Sequence, residues 1–176
     1  GKVLGGVHAP DAGMVSIDGK PARFANPREA LAAGVAMVHQ ELAFCPNLTV
    51  AENICLGSLP PRRGFLARAE MRRRAEGMLA AIGADVDATR PAAELSIGQQ
   101  QMVQIAAAVG SGARILVFDE PTSSLSSREA ERLRELIGRL KDEGVTSVYV
   151  THRLDEVFRS SDTVTVLRDG RHVATR

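Results

Sequence analysis

The heptapeptide Ile115-Leu116-Val117-Phe118-Asp119-Glu120-Pro121 restricts the folds open to this chain more than any other stretch. Four consecutive apolar residues run straight into two carboxylates. A short unbroken apolar run reads as a strand buried on both faces, as at the centre of a parallel sheet covered by helices. Pro121 has no N–H to offer a sheet ladder and forces a turn. Asp119 and Glu120 therefore stand at the carboxyl end of the strand, where open α/β sheets bind ligands. Taken alone, the run fits equally well a strand that ends in solvated charges, because most carboxylates are simply exposed.

The chain has 176 residues, enough for one domain with a real core. Aromatic residues make up only 3% and Trp is absent, so the core is aliphatic and offers no stacking platform for single-stranded nucleic acid. A formal net charge of +1 gives no bulk electrostatic case for DNA or RNA. No apolar run approaches the length of a membrane span, and no signal peptide is visible. Cys45 and Cys55 have no nearby His or second Cys pair, which argues against zinc and fits a reducing cytosol.

Local patterns divide the chain. Lys2 to Val7 reads as the tail of a helix stopped by Gly5-Gly6. Met14 to Ile17 alternates like a strand, and Asp18-Gly19 signals a hairpin into a second strand around Ala22–Phe24. Asn26-Pro27 is an N-cap followed by Pro at the first helical position, and Gly34 stops that helix. Val35–Val38 is a further buried strand, delivering His39-Gln40-Glu41. Residues 47–110 read as mainly helical, with Met71, Ala75, Met78, Leu79 and Ile82 at helical spacing. Arg72-Arg73-Arg74 is expected on a solvated face of that helix, and 60–64 as a loop. Ser96 with Gln99, and Ser126 with Glu129, have capping-box spacing at the starts of two helices. The second carries Leu133, Leu136, Ile137 and Leu140 as its core face. Val145–Val150 is a strand that delivers Thr151-His152, followed by a short helix at 154–158. Thr163–Leu167 and Arg171–Ala174 flank Asp169-Gly170 as a hairpin.

Three buried strands thus each present polar groups at the carboxyl end: Gln40, then Asp119 with Glu120, then His152. In a parallel sheet those ends lie together, and a site drawn from three distant segments is hard to explain as solvated loops.

Leu95-Ser96-Ile97-Gly98-Gln99 resembles the signature motif of ABC-transporter ATPases. Ile115–Glu120 resembles Walker B with the catalytic glutamate, and Ser123-Ser124-Leu125-Ser126 resembles the D-loop. Gln40 is similar to the Q-loop glutamine and His152 to the switch histidine. The wording of 95–105, 118–127 and 150–158 is similar to the first ATPase half of tandem carbohydrate importers, a family that includes ribose, xylose and galactose systems. This resemblance implies roles. Asp119 holds Mg²⁺ and Glu120 acts on the water that attacks the γ-phosphate of ATP. Gln40 senses Mg²⁺ and that water while linking to the membrane subunit. His152 bonds the γ-phosphate and positions Glu120. Ser96, Gly98 and Gln99 belong to the signature turn that meets a nucleotide bound mainly by a second ATPase domain. There glycine permits close approach and the helix N-terminus offers N–H groups to an anion.

Two departures from the family pattern stand out. No Gly-x-x-x-x-Gly-Lys-Ser/Thr motif occurs: Val3 follows Gly1-Lys2 where Ser or Thr is needed. By register with the family, Lys2–Val7 matches the helix after that phosphate-binding loop, so the expectation is a chain truncated just behind it. Such a chain lacks the main cradle for the β- and γ-phosphates and is expected to hydrolyse ATP poorly by itself. Ser126 stands where most of the family carries the D-loop Asp.

The expected fold is α/β: a P-loop-NTPase-like ABC core at 1–46 and 111–176 with a mostly parallel sheet, a small antiparallel β region near 14–24, and a helical subdomain at about 47–110. The intact protein is expected to be an ATP- and Mg²⁺-dependent ATPase at the cytoplasmic face of the membrane, powering sugar uptake. Its implied partners are a transmembrane permease subunit, a second ATPase domain and, indirectly, a sugar-binding protein, with no nucleic acid. The alternatives are a non-catalytic docking fragment and an ABC ATPase of another system, such as DNA repair.

Overall fold

The computed structural model describes residues 1–39, 44–57, 61–62 and 65–176. At the start, the Gly5 N–H donates to the Gly1 carbonyl at 3.0 Å and the Val7 N–H to the Lys2 carbonyl at 2.9 Å, with Gly6 at φ 70°. The expected helix tail is one hydrogen-bonded turn closed in the Schellman manner, Gly6 taking the left-handed conformation. Strand β1 (Val15–Ile17) turns through Asp18 (φ 50°) and Gly19 (φ 74°) into β2 (Lys20–Ala22). Two residues of positive φ match the twist of a tight hairpin and pair Ile17 with Lys20, so β2 starts earlier than its pattern suggested. Helix α1 (Pro27–Ala32) is capped by Asn26, whose Oδ1 accepts from the Glu29 N–H at 3.0 Å. Strand β3 (Val35–Val38) follows.

The next segment is mainly helical, as its spacing predicts. Helix α2 (Val50–Cys55) opens on a Thr49–Glu52 capping box. Strands β4 (Pro61–Arg62) and β5 (Phe65–Leu66) pair antiparallel where the sequence reads as a plain loop. Helix α3 (Arg68–Ala81) buries Met71, Ala75 and Leu79. Its outer face is solvated: Arg72 pairs with Glu76 at 2.7 Å and Arg73 with Glu70. A 3-10 turn at Ala92–Glu94 leads into α4 (Ile97–Gly110). The chain then runs through β6 (Ile115–Asp119), α5 (Ser127–Asp142), β7 (Thr146–Val150), α6 (Leu154–Ser160), β8 (Thr165–Arg168) and β9 (Arg171–Thr175).

Strands β3, β6 and β7 form one parallel sheet with β6 in the middle. Leu116, Val117 and Phe118 are all buried. Leu116 and Phe118 join an apolar cluster with Val103 and Ile105 of α4 and Leu133 and Leu136 of α5. Val117 points to the opposite face, against Ala30 of α1 and Val35 of β3. Burial on both sides explains the unbroken apolar run, each large side chain contributing about 1.5–3 kcal/mol by leaving water. The larger cluster also takes in Val50, Ala75 and Leu79 from α2 and α3, so the helical segment and the sheet share packing.

Candidate active site

Parallel pairing brings distant acids and bases to one edge. In the register of β6 and β7, Asp119 lies opposite Val150, so both strands release their next residues at the same level. The Glu120 N–H donates to the Val150 carbonyl at 2.9 Å, extending the ladder one residue past β6. Its side chain then meets the residue that follows β7: His152 Nδ1 lies 3.0 Å from Glu120 Oε1. An ionised carboxylate only accepts, so Nδ1 donates and Nε2 is left for another partner. The histidine side chain is 75% exposed and the glutamate 28%, which leaves the pair open on the imidazole side.

Glu120 adopts φ 47°, a left-handed conformation that costs a non-glycine residue about 1–2 kcal/mol. Its N–H bond to Val150 and the Ser123 N–H bond to its own carbonyl, 3.2 Å, hold it there. Backbone strain thus sits on the residue whose carboxylate faces His152, a common property of functional sites. Asp119, half-buried, ends β6. A Cβ placed on Gly1 would lie 3.6 Å from Asp119 Oδ2, so the opening turn of the chain borders this carboxylate.

A second group forms where α4 meets the turn after Pro121. Ser96 Oγ accepts from the Gln99 N–H at 3.2 Å, and Gln99 Oε1 accepts from the Ser96 N–H at 3.0 Å. A Cβ on Gly98 would lie 3.3 Å from both the Ser124 carbonyl oxygen and Glu129 Oε2. Glycine lets the first turn of α4 come this close without a shift of its neighbours. Ser126 caps α5 in the same way, and the Glu129 carboxylate accepts from its N–H at 2.8 Å and its hydroxyl at 2.6 Å. The Ser126 hydroxyl first, then its backbone N–H, hold the Glu129 carboxyl below the usual carboxylate range.

The structure therefore unites Glu120 with His152, and Gly98 with the turn that ends at Ser126. The two groups are joined through the backbone, where the Ser123 N–H of that turn donates to the Glu120 carbonyl at 3.2 Å. Gln40 lies outside the described residues; Val38, two positions before it, pairs with Phe118. A groove of about 370 Å³ between the end of α3 and α5, lined by Ile82, Arg132, Glu135 and Arg139, holds none of the candidate residues.

Sequence patterns missed one participant. Leu154 and Phe158 are spaced to face inward on α6, yet they are 70% and 83% exposed, while Glu156 is only 5% exposed. The Glu156 carboxylate accepts from the Thr122 hydroxyl at 2.7 Å, the Tyr149 hydroxyl at 3.0 Å and the Thr151 hydroxyl at 3.1 Å, and pairs with Arg153 Nε at 3.2 Å. Burial and then the Glu156 charge raise the Tyr149 phenol well above its ordinary pKa, so it donates throughout the physiological range. Apolar periodicity does not register such a network. The available signal was the density of hydroxyls around the two strand ends.

Residues 2–123 match the family described as ABC transporter. Over 175 residues, 99% of the chain, the sequence is 54% identical to the arabinose import ATP-binding protein AraG of Chromohalobacter salexigens, and it is 48% identical over 174 residues to that of Mannheimia succiniciproducens. The chain spans about a third of the length of these relatives, 35% in each case. Among solved structures it is similar to a dimeric ATP-binding cassette in a post-hydrolysis state bound to ADP and Pi, with a TM-score of 0.83 and 28% identity over 99% of this chain and 77% of that one. A nucleotide-free ATP-binding cassette from an ABC transporter gives a TM-score of 0.81 and 26% identity, over 99% of this chain and 73% of that one.

Proposed function

Because the chain belongs to the ABC transporter family, we propose that it supplies the metal and water side of an ATP site in an ATPase that drives import of a sugar. Arabinose or a related pentose is the favoured cargo, from the relatives at 54% and 48% identity. The observation that carries this reading is the contact of Glu120 with His152 at the carboxyl edge of the parallel sheet.

Glu120 accepts the proton of the attacking water, which a positioned carboxylate does at a gain of about 10²–10⁴-fold. His152 keeps that carboxylate oriented through Nδ1 and presents Nε2 to a γ-phosphate oxygen. Asp119 offers a hard oxygen donor at the end of the central strand, the ligand type Mg²⁺ takes, so the residues present fit this ion. When bound, Mg²⁺ offsets charge on the phosphates. Gln40, two residues after β3 in the sequence, is assigned to this side by its resemblance to the family's glutamine. The N-terminal turn of α4, with Ser96, Gly98 and Gln99, meets the nucleotide of a second ATPase domain, and the turn ending at Ser126 lies between the two sites. The dimeric cassette among the structural relatives supports this arrangement. In this scheme 1–46 and 111–176 form the catalytic core and about 47–110 a helical arm toward the permease. The whole assembly sits at the cytoplasmic face of the membrane.

The direct test is made on the full-length natural protein. Mg-ATP binding by titration, ATP turnover, and ATP-dependent arabinose uptake into vesicles holding its permease are the expected positives. Failure to bind Mg-ATP sinks the ATPase reading in favour of a docking module. Turnover without arabinose uptake moves the cargo to another sugar.

A further inference from the structure

We propose that Glu156 is a positioning residue that sets the approach of His152 to Glu120; this rests on the ATPase reading above. Both members of the pair sit on loops, and each loop is tied to the same buried carboxylate. Thr122, two residues after Glu120, donates its hydroxyl to Glu156 Oε1 at 2.7 Å. Thr151, immediately before His152, donates to Glu156 Oε2 at 3.1 Å. The Thr151 oxygen in turn accepts from the Arg153 N–H at 3.0 Å, so the backbone on both sides of His152 is fixed through one hydroxyl. Tyr149 of β7 donates to Oε2 at 3.0 Å, and Arg153 Nε lies 3.2 Å from Oε1. Each carboxylate oxygen thus serves two partners. The β6 exit shares Oε1 with Arg153, and the β7 exit holds Oε2.

A carboxylate is suited to this task because it only accepts, and every partner here can donate. An amide of the same shape loses the charge and turns one oxygen into an N–H₂ group, which sets donor against donor at Arg153 Nε or, turned the other way, makes the Tyr149 and Thr151 hydroxyls reverse from donor to acceptor. A buried polar group left in that state is costly, and the cheapest relief is displacement of a loop. Displacing either loop by a fraction of an ångström separates Glu120 from His152. Misplacement of about 1 Å by a change outside the reacting groups costs up to about 10²-fold in rate. The enclosure of Glu156, 5% exposed on a short surface helix, fits this role.

The experiment uses the full-length protein carrying Glu156→Gln, Thr151→Val, His152→Ala and Glu120→Gln, with ATP affinity and kcat measured for each. Glu156→Gln is expected to lower kcat about 10- to 100-fold while leaving Mg-ATP affinity within about 2-fold. In the His152→Ala background the same change is expected to cost less than about 2-fold, because its effect passes through the imidazole. A purely structural role would give equal losses with and without His152, and that result overturns the proposal. If Glu156→Gln does not fold, Thr151→Val carries the test, since it removes the tie of Glu156 to the β7 exit, together with the Arg153 N–H bond to that hydroxyl, and keeps the carboxylate on Thr122, Tyr149 and Arg153. Wild-type kcat in that variant is then the overturning result. Loss of turnover in Glu120→Gln with full kcat in Glu156→Gln refutes the positioning role alone. Full turnover in Glu120→Gln refutes the ATPase-site assignment and this proposal with it.

Discussion

His152 Nδ1 and Glu120 Oε1 meet at 3.0 Å across 32 residues of chain. Nothing local brings them together. Two parallel strands pair so that Asp119 faces Val150, and the next residues of each emerge side by side. The contact turns two strand ends into one chemical unit.

Glu120→Gln keeps the shape and the hydrogen bond to His152 but removes the carboxylate proposed to accept the proton of the attacking water. In the full-length protein, ATP turnover is expected to fall by about 10²–10⁴-fold with Mg-ATP binding retained. Steady-state turnover and nucleotide titration measure the two effects. Turnover at the wild-type rate would take Glu120 out of the catalytic role.

His152→Ala removes the imidazole and leaves Glu120 at its left-handed backbone position, which the Val150 and Ser123 bonds maintain. The loss is expected in kcat, with KM for ATP changed far less, because the proposed role of the contact is to orient Glu120 toward the reacting water and not to hold the ground state. An equal loss through KM alone would make His152 a binding residue only.

Gly98 tests the closeness of α4 to the turn after Pro121. A methyl at this position meets the Ser124 carbonyl and the Glu129 carboxylate at 3.3 Å, tight enough to require a small shift. Gly98→Ala is expected to fold and lose part of its turnover, and Gly98→Val to lose nearly all of it. Thermal melting separates this from unfolding: both variants should retain a cooperative transition. Full activity in Gly98→Val would show that the approach of the two segments is dispensable.

The capping carboxylate of α5 gives a pH signature. Hydrogen bonds from Ser126 depress the pKa of Glu129 in the folded state, so its contribution to stability is complete above the unfolded carboxylate pKa. It is lost as pH falls through the lower folded pKa. Glu129→Gln is therefore expected to destabilise the protein at neutral pH, with the difference from wild type shrinking as pH falls below the ordinary carboxylate range. Denaturant midpoints across pH measure this. A difference independent of pH would mean that the amide and carboxylate cap equally well.

Phe118 reports on the central strand. It is fully buried and its ring lies 6.1 Å from that of Tyr149, tilted by 39°. Phe118→Ala is expected to cost about 3–5 kcal/mol in chemical unfolding, the usual loss for an enclosed aromatic. A cost below about 1 kcal/mol would contradict a well-packed centre for the sheet.

Much of the fold is legible because it is written locally. The two-residue turn at Asp18-Gly19, the Asn26 cap, and the capping boxes at Ser96 and Ser126 each depend on residues within four positions of one another. The apolar run at 115–118 is readable as a two-sided strand for the same reason. The opening turn and the β4–β5 pair are less legible, being too short for any periodicity to register. In the site, Asp119, Glu120 and His152 are marked by their places at strand ends. Glu156 is not, because its burial goes with three hydroxyls from two other segments, the exits of β6 and β7, which no pattern within its own short helix registers.

The sequence by itself determined the elements, their caps and turns, and the chemical types of the groups at each strand end. These follow from backbone conformation and side-chain burial over a few residues. The tertiary structure alone decided that Glu120 reaches His152, that Gly98 presses against Ser124, and that one buried carboxylate holds both loops. Those relations depend on the register of parallel strands and on helices brought together by a common core. Their distances are fixed by packing between segments, which local preferences do not encode.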